Sequence, residues 1–195
     1  MKALGLARSV YSLINPEYKF IDNNTNNQVI QNTNTALSLI TSIGQGLDQN
    51  NRTGNSILAK YIHCTFVMRY NNQVVPTLYR ITIVTTEDGT PPGAGDIYEN
   101  TSSGLAVCTS PWKKNSDIRY KVKFDRLFYI DQYRPTTVHR YNIKIRGHHH
   151  IKYTGPSPTD TGPGNFWAFT TADQGNASNS IITTRNYRVS YFGVL

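Results

Sequence analysis

Residues 45–70, QGLDQNNRTGNSILAKYIHCTFVMRY, decide the fold, and their character changes at Ser56. Before Ser56 the stretch is rich in Gly, Asn, Asp and Gln, a composition typical of turns. After it, apolar and polar residues alternate with period two, which predicts a β-strand. The alternation gives the strand a core face and an opposite face: Leu58, Ile62, Cys64, Phe66 and Met68 against Ala59, Tyr61, His63, Thr65 and Arg69. A strand of about fourteen residues far exceeds the usual five or six and predicts a large sheet or sandwich.

Other segments of the chain show similar β-patterns between Gly- and Pro-rich loops. Residues 36–43 are apolar and fit either a strand or one helical turn, and no internal helix is predicted. Eight strands with long loops in 195 residues predict an all-β antiparallel sandwich of two sheets, either a jelly roll or a Greek-key barrel. The strands predicted besides 56–70 are 77–86, 105–108, 118–130, 136–146, 150–153, 165–171 and 185–194.

The first 35 residues differ from the rest of the chain. Residues 2–15 carry apolar residues at helical spacing up to Pro16, which indicates either a short amphipathic helix or a frayed terminus. Residues 17–35 are Asn-rich and predict an extended arm. The sequence therefore predicts an N-terminal arm at 1–35 and one β-domain at 36–195.

Two further counts restrict the class of protein. No stretch approaches the ~20 apolar residues of a membrane span, so a soluble protein without a membrane partner is predicted. The two cysteines, Cys64 and Cys108, provide no disulfide framework, and Cys64 is predicted to be a buried free thiol.

The positive charge is confined to one region. Residues 112–152 contain eleven basic and three acidic residues, an excess of eight that equals the net charge of the whole chain. A local field of one sign indicates an anionic partner, usually nucleic acid or a membrane surface. The alternative is an ordinary solvated strand face.

Two motif series resemble small viral coat proteins, namely those of circular single-stranded DNA viruses and necrosis-type satellite viruses. The first series is similar to the lead-in to their first jelly-roll strand. The second, around Asp125-x-x-Phe128, resembles a basic, alternating strand of that family. Together they cover roughly residues 17–147, and their members are Glu17, Lys19, Asp22, Leu39, Ile40, Gly46, Asn50, Arg52, Gly54 and Ile57, then Trp112, Lys121, Val122, Lys123, Phe124, Asp125 and Phe128.

The resemblance implies a single jelly roll of eight strands in two four-stranded sheets, with residues 36–195 as the shell domain. It also implies a virion protein whose copies associate into a closed icosahedral shell. The smallest such shell contains about sixty copies. Such coat proteins usually begin with a long basic arm, but here only Lys2, Arg8 and Lys19 occur in the first fifty residues. Either no such arm is present, or packaging depends on the strands of 113–152.

The candidate nucleic-acid site lies on the two basic strands, 118–130 and 136–146. Because a short connection joins them, they are predicted to pair antiparallel. Their apolar residues, Tyr120, Val122, Phe124, Tyr141, Ile143 and Ile145, would then share the core face. The opposite face would carry the six basic residues predicted to bind nucleic acid without sequence preference: Arg119, Lys121, Lys123, Arg140, Lys144 and Arg146.

Other chemistry has weaker support in the sequence. No catalytic or phosphate-loop motif occurs, so no enzyme and no cofactor are predicted. Consecutive residues of a strand point to opposite faces, so His148, His149 and His150 are predicted to form an exposed loop, not a metal site, with joint titration as an alternative. Asp88 with Glu87, and Asp160, are weak candidates for calcium between subunits. A lectin-like jelly roll with sugars stacked on Trp112 and Trp167 is the competing function.

Overall fold

A computed structural model describes residues 18–30, 36–48, 50–71, 76–130, 138–173 and 180–194. These residues form eight strands and two short helices. The strands are β1 (Tyr18–Ile30), β2 (Ala36–Leu39), β3 (Ser56–Asn71), β4 (Thr77–Thr86), β5 (Tyr120–Ile130), β6 (Val138–Lys152), β7 (Phe166–Ala172) and β8 (Ser180–Val194), and the helices are α1 (Ala94–Ile97) and α2 (Gly104–Thr109).

The strands form two antiparallel four-stranded sheets with the strand order of a jelly roll. The first sheet has the order β1-β8-β3-β6 and the second sheet the order β2-β7-β4-β5. Consecutive strands thus lie mostly in opposite sheets, and the chain crosses repeatedly from one layer to the other. This confirms the predicted eight-stranded, two-sheet jelly roll.

Strand β1 corrects the predicted boundary of the arm. Residues 18–30, expected outside the sandwich, pair along their length with β8, and Ile30 is fully buried. The stretch taken as the lead-in to the first strand therefore contains β1 and β2. The Asn-rich composition suits this strand because an Asn side chain can form hydrogen bonds within the sandwich. Asn23 donates hydrogen bonds to the carbonyls of Ile40 and Ser42, at 3.3 and 3.1 Å. The proposed helix at 2–15 lies outside the described residues.

The core lies between the two sheets, and a bulge modifies the alternation of β3. The pairing register shifts between Ala59 and Tyr61 against both neighbouring strands: Lys60 is an extra residue relative to β8, whereas β6 has two residues, Gly147 and His148, opposite Lys60. Before the bulge Ile57 and Ala59 face the core, whereas after it the even-numbered residues Ile62 to Met68 do. The predicted faces of Leu58 and Ala59 are therefore wrong, because the bulge reverses the parity at Lys60.

The outer face of the second sheet is covered by the segment that carries α1 and α2. Ile97 and Val107 pack there with Trp167 in a second apolar cluster. The strand predicted at 105–108 is wrong, because Ser103 caps a helix by accepting a hydrogen bond from the Ala106 amide at 3.1 Å. No described element covers the outer face of the first sheet, which remains open to solvent.

Strand β6 is longer than predicted and includes the segment taken as a separate strand. It continues through Gly147, where the sequence predicted an end. Gly147 has φ of +124°, a conformation that suits glycine, and lies in β6 where the register shifts relative to β3. Cys64 and Cys108 are both buried free thiols. Among the described helices, none has the length and apolarity needed to traverse a bilayer.

Candidate nucleic-acid interface

The two basic strands lie in different sheets. β5 pairs only with β4 at one edge of the second sheet, and β6 pairs only with β3 at one edge of the first. The predicted antiparallel pairing of these strands is therefore wrong. β5 and β6 belong to opposite layers of the sandwich and are not a hairpin within one sheet.

The two edge strands nevertheless meet across the sandwich. Tyr141 of β6 packs on Phe124 and Phe128 of β5, with ring centroids 5.7 and 4.8 Å apart. Arg126 donates a hydrogen bond of 2.7 Å to the Tyr141 hydroxyl. β5 and β6 thus form one flank of the sandwich.

The predicted core face of β5 is correct only in part. Phe124 packs against the main core, but Tyr120 and Val122 belong to the second cluster on the outer face of the second sheet. The register of β5 shifts opposite Ile83 and Val84, which leaves Lys123 as the extra residue and reverses the parity.

All six predicted basic residues are exposed, but the structure divides them into two groups. The face group lies on the uncovered outer face of the first sheet. The flank group lies at the start of β5 in the second sheet. The face group is Arg140, Lys144 and Arg146, and the flank group is Arg119, Lys121 and Lys123.

Aromatic side chains accompany the face group on the outer face of the first sheet. Tyr18, Phe20 and Tyr61 are 50, 46 and 42% exposed, respectively. Tyr61 lies opposite Arg146 in the register, and Tyr18 stacks on Phe192 with centroids 5.2 Å apart. Exposed aromatic rings beside arginines and lysines are the two components that bind single-stranded nucleic acid, through base stacking and phosphate contacts.

A row of charged residues crosses the same face from β1 through β8 and β3 to β6. Asp22 of β1 forms a bidentate ion pair with Arg188 of β8 at 2.6 Å, and the row continues through His63 to Lys144. The hydrogen bond from Arg188 lowers the pKa of Asp22. Asp22 therefore compensates Arg188, whereas none of the described residues in this row places an acid beside Lys144.

Two members of the flank group, Lys121 and Lys123, border a cavity, which we call the flank pocket. It has a volume of 330 Å³ and lies where the start of β5 faces the end of β6. Lys121 and Lys123 line it from β5, and the three histidines with Lys152 line it from β6. Its acid is Glu87, which forms an ion pair with Lys121 at 2.9 Å, and the bond from Lys121 lowers the pKa of Glu87.

Arg119 differs from the other members of its group. It shares a shallow depression with three carboxylates, those of Glu87, Asp88 and Asp117. Because the charge around Arg119 is negative, Arg119 is a weaker candidate than Lys121 and Lys123 for contact with an anion.

The three consecutive histidines lie in β6 and not in the predicted loop. His148 and His150 are exposed, whereas His149 is partly buried and packs edge-on against Phe166 at 5.1 Å. They thus point in different directions, as the alternation of a strand requires. Within the described residues no group of three His, Cys, Asp or Glu side chains is placed to hold a metal ion.

The two calcium candidates have local structural partners. Asp88 accepts hydrogen bonds from the amide and hydroxyl of Thr90, at 3.1 and 2.8 Å. Asp160 accepts one from the Ser157 amide at 2.8 Å. Both arrangements are those of turn-stabilising aspartates.

The tryptophans proposed for sugar stacking are also occupied. Trp167 is only 5% exposed and donates a hydrogen bond to Thr86. Trp112 is 37% exposed and donates through its indole nitrogen to Asp125 at 3.1 Å. These two side chains therefore do not form a shared platform for a sugar.

Sequence reasoning missed several residues of the interface. Tyr18, Phe20 and Arg188 were not identified, because they come from the segments that flank the chain and not from its basic region. Exposed residues alternate in 18–22 and 186–192, and this pattern could have indicated them. It becomes informative only once β8 is known to lie between β1 and β3 in one sheet.

The fold has counterparts among solved structures, although no family model and no curated protein matches the chain. Turnip yellow mosaic virus matches with 11% identity and a TM-score of 0.45, over 92% of this chain and 96% of that chain. A 60-mer of the BFDV capsid protein has 13% identity and a TM-score of 0.34, over 90% of each chain. Tomato aspermy virus has 8% identity and a TM-score of 0.36, over 100% of this chain and 96% of that chain.

These three matches are virus or capsid-protein structures. Their low identities and their TM-scores below 0.5 give only a loose likeness. A function for this chain therefore has to be supported by its own residues.

Proposed function

We propose that the chain is a viral coat protein that assembles with copies of itself into a closed icosahedral shell and encloses nucleic acid. The observation that carries the proposal is the placement of the six exposed basic residues of the face group and the flank group on one open face and one flank of a jelly-roll sandwich. The motif series that resembles small viral coat proteins adds support. In this function the chain belongs to the virion.

The open face of the first sheet is the proposed contact for nucleic acid. The face group supplies three cations that no described ion pair neutralises, and the exposed aromatic rings lie on the same side of the sheet. Lys and Arg contacts to phosphates carry little base information, so binding is independent of sequence and weakens as salt rises. Lys121 and Lys123 extend this positive surface around the edge of β6 onto the flank.

Assembly is tested by sedimentation of the purified chain over a range of pH and salt. A shell of about sixty copies of a 22.0 kDa chain has a mass of about 1.3 MDa and is visible by negative-stain microscopy. A lectin-like protein would instead sediment as a monomer to tetramer. A 22 kDa species under all conditions contradicts the shell.

Nucleic-acid binding is tested with a variant in which Lys121, Lys123, Lys144 and Arg146 are all replaced by Gln. The nucleic acid content of the particles should fall, and the slope of log K against log salt should decrease by about one unit for each phosphate that the variant can no longer neutralise. If neither quantity changes, these strands face outward or a subunit contact, and nucleic acid binds elsewhere.

A further inference from the structure

The flank pocket combines features that the proposed coat function does not itself require. It is recessed between the edges of two sheets, and it is lined by three lysines and three histidines against one carboxylate. A water molecule occupies roughly 30 Å³ in the liquid, so the 330 Å³ of the pocket correspond to about ten waters. This space is sufficient for a phosphate group and the adjoining sugar.

The charges around the pocket come from every strand that borders it. β5 contributes Lys121 and Lys123, and β6 contributes Lys152 beside the histidines. Glu87, just after β4, is paired with Lys121. Lys60 of the neighbouring strand β3 is directed elsewhere, since its ammonium lies over the Tyr61 ring, 5.5 Å from the ring centroid. Glu87 neutralises one of the three lysines that line the pocket, so the lysines and Glu87 together leave a net positive charge.

His149 carries a second, independent feature. Its Nε2 atom is buried and has no hydrogen-bond partner among the described residues. Burial lowers the pKa of His149, and the charges of Lys123 and His148 lower it further, whereas a hydrogen bond with the backbone of Arg146 acts in the opposite direction. The ring is therefore neutral at neutral pH. A phosphate beside Lys123 would offset this repulsion and favour the protonated ring.

We propose that the flank pocket binds a phosphate group of a nucleic acid strand, and that His149 takes up a proton when it does so. This inference rests on the proposed coat function, since it assigns to that function a second and pH-sensitive phosphate contact. Binding to the face group depends on arginine and lysine and stays nearly constant between about pH 5 and 8. Binding to the flank pocket strengthens as pH falls through the range in which histidine gains charge.

The test measures binding of inorganic pyrophosphate to the full chain by equilibrium dialysis at about pH 5.5 and 7.5, on either side of the ordinary histidine pKa. Dialysis needs no shell, so a failure of assembly and a failure of the pocket give separate results. We expect one binding site per chain and, after correction for the protonation of pyrophosphate itself, an affinity at least about tenfold higher at the lower pH, because each proton taken up raises log K by one unit for each unit that the pH falls.

Two triple variants that remove equal charge separate the pocket from the general field. Lys121→Gln, Lys123→Gln and Lys152→Gln together should weaken pyrophosphate binding about tenfold or more. Arg140→Gln, Lys144→Gln and Arg146→Gln together should change it by less than about twofold, since none of these side chains lines the pocket and salt screens exposed charges. Equal losses in both variants overturn the proposal.

A histidine variant and a competitor complete the test. His149→Asn should flatten the pH dependence, with near-UV circular dichroism as the check on packing. A short single-stranded oligonucleotide should displace pyrophosphate. If it does not, the pocket binds free phosphates and the assignment to nucleic acid is wrong. An unchanged pH dependence in a correctly packed His149→Asn chain overturns the proton uptake.

Discussion

Arg80 and Asp125 form a bidentate ion pair on the outer face of the second sheet, with nitrogen–oxygen distances of 2.8 and 2.7 Å. The remaining guanidinium nitrogen of Arg80 donates to the carbonyls of Val107 and Ser110 at 2.8 Å each. Asp125 also accepts hydrogen bonds from Thr82 and Trp112. The pair thereby fixes the helical segment to the sheet, and Asp125 of the Asp125-x-x-Phe128 motif has a structural role.

We expect Asp125→Asn to destabilise the fold by about 3–5 kcal/mol, because it leaves the buried Arg80 without its counter-charge. Asp22→Asn is the matched control: it breaks the exposed pair with Arg188 and should reduce stability by less than about 1 kcal/mol. Urea denaturation of both variants measures the difference. Similar losses would show that burial of Arg80 does not determine the effect.

The same carboxylate predicts a dependence of stability on pH. Burial alone would raise the pKa of Asp125, but the hydrogen bonds from Arg80, Thr82 and Trp112 outweigh it and lower the pKa. A carboxyl whose folded pKa is lowered contributes stability above its unfolded pKa of about 3.9, and this is lost as pH falls through the folded pKa. The unfolding free energy of the parent chain should therefore fall below about pH 4, and that of Asp125→Asn should fall less steeply.

A second surface carries a prediction about subunit contacts. Leu127 and Tyr129 of β5 are 44 and 48% exposed on the second sheet, away from the open face of the first. In a shell we expect copies of the chain to cover them, so Leu127→Ser with Tyr129→Ser should leave the fold intact but weaken assembly. Leu47→Ser is the control, since Leu47 is 97% exposed on a loop. Light scattering compares the variants; full assembly of the double variant contradicts the contact.

The aromatic residues of the open face should contribute to binding through base stacking. Replacement of Tyr61 by Leu should weaken binding of a single-stranded oligonucleotide by about 1–3 kcal/mol and leave binding of inorganic polyphosphate unchanged. Tyr129→Leu is matched in exposure, at 48% against 42%, and should affect neither ligand. An equal loss for oligonucleotide and polyphosphate would argue against stacking and for a change in the sheet.

The two thiols should be inert in the folded chain. Burial raises the pKa of the Cys64 thiol above its ordinary value and that of Cys108 to about 12. Because the thiolate is the reactive form, neither cysteine should react with a thiol-specific reagent until urea unfolds the chain. Rapid labelling of Cys108 alone in buffer would show that α2 opens from the sheet.

The strands that alternate strongly could be predicted from sequence. β3 and β4 match their predicted ranges closely, because alternation and β-branched residues over such lengths are typical of strands that contribute to a core. β1 could not be found this way. Its polar residues form hydrogen bonds across the sandwich, as Asn23 does, so the strand lacks an apolar face typical of the core.

The candidate site was predictable in its residues but not in its arrangement. The concentration of charge identified six basic residues, and all six are exposed in the structure. Pairing was inferred from the short connection, and a contact across two layers cannot be distinguished from a contact within one layer by sequence spacing. Parity was lost at Lys60 and Lys123, because one extra residue in a strand reverses every face after it.

The pairing of β1 with β8 determines when the first sheet can form. Tyr18 lies opposite Phe192, so the first described strand completes its hydrogen bonds only after residues 180–194 have been synthesised. Nearly every contact of the first sheet joins distant parts of the chain, a topology that slows folding because loop closure precedes any gain from pairing. The open face, with Phe20 and Tyr61 on separate strands bridged by β8, is complete only once residues 180–194 have been synthesised. An incomplete chain on the ribosome therefore lacks the β1 and β8 half of the face that we propose for nucleic acid.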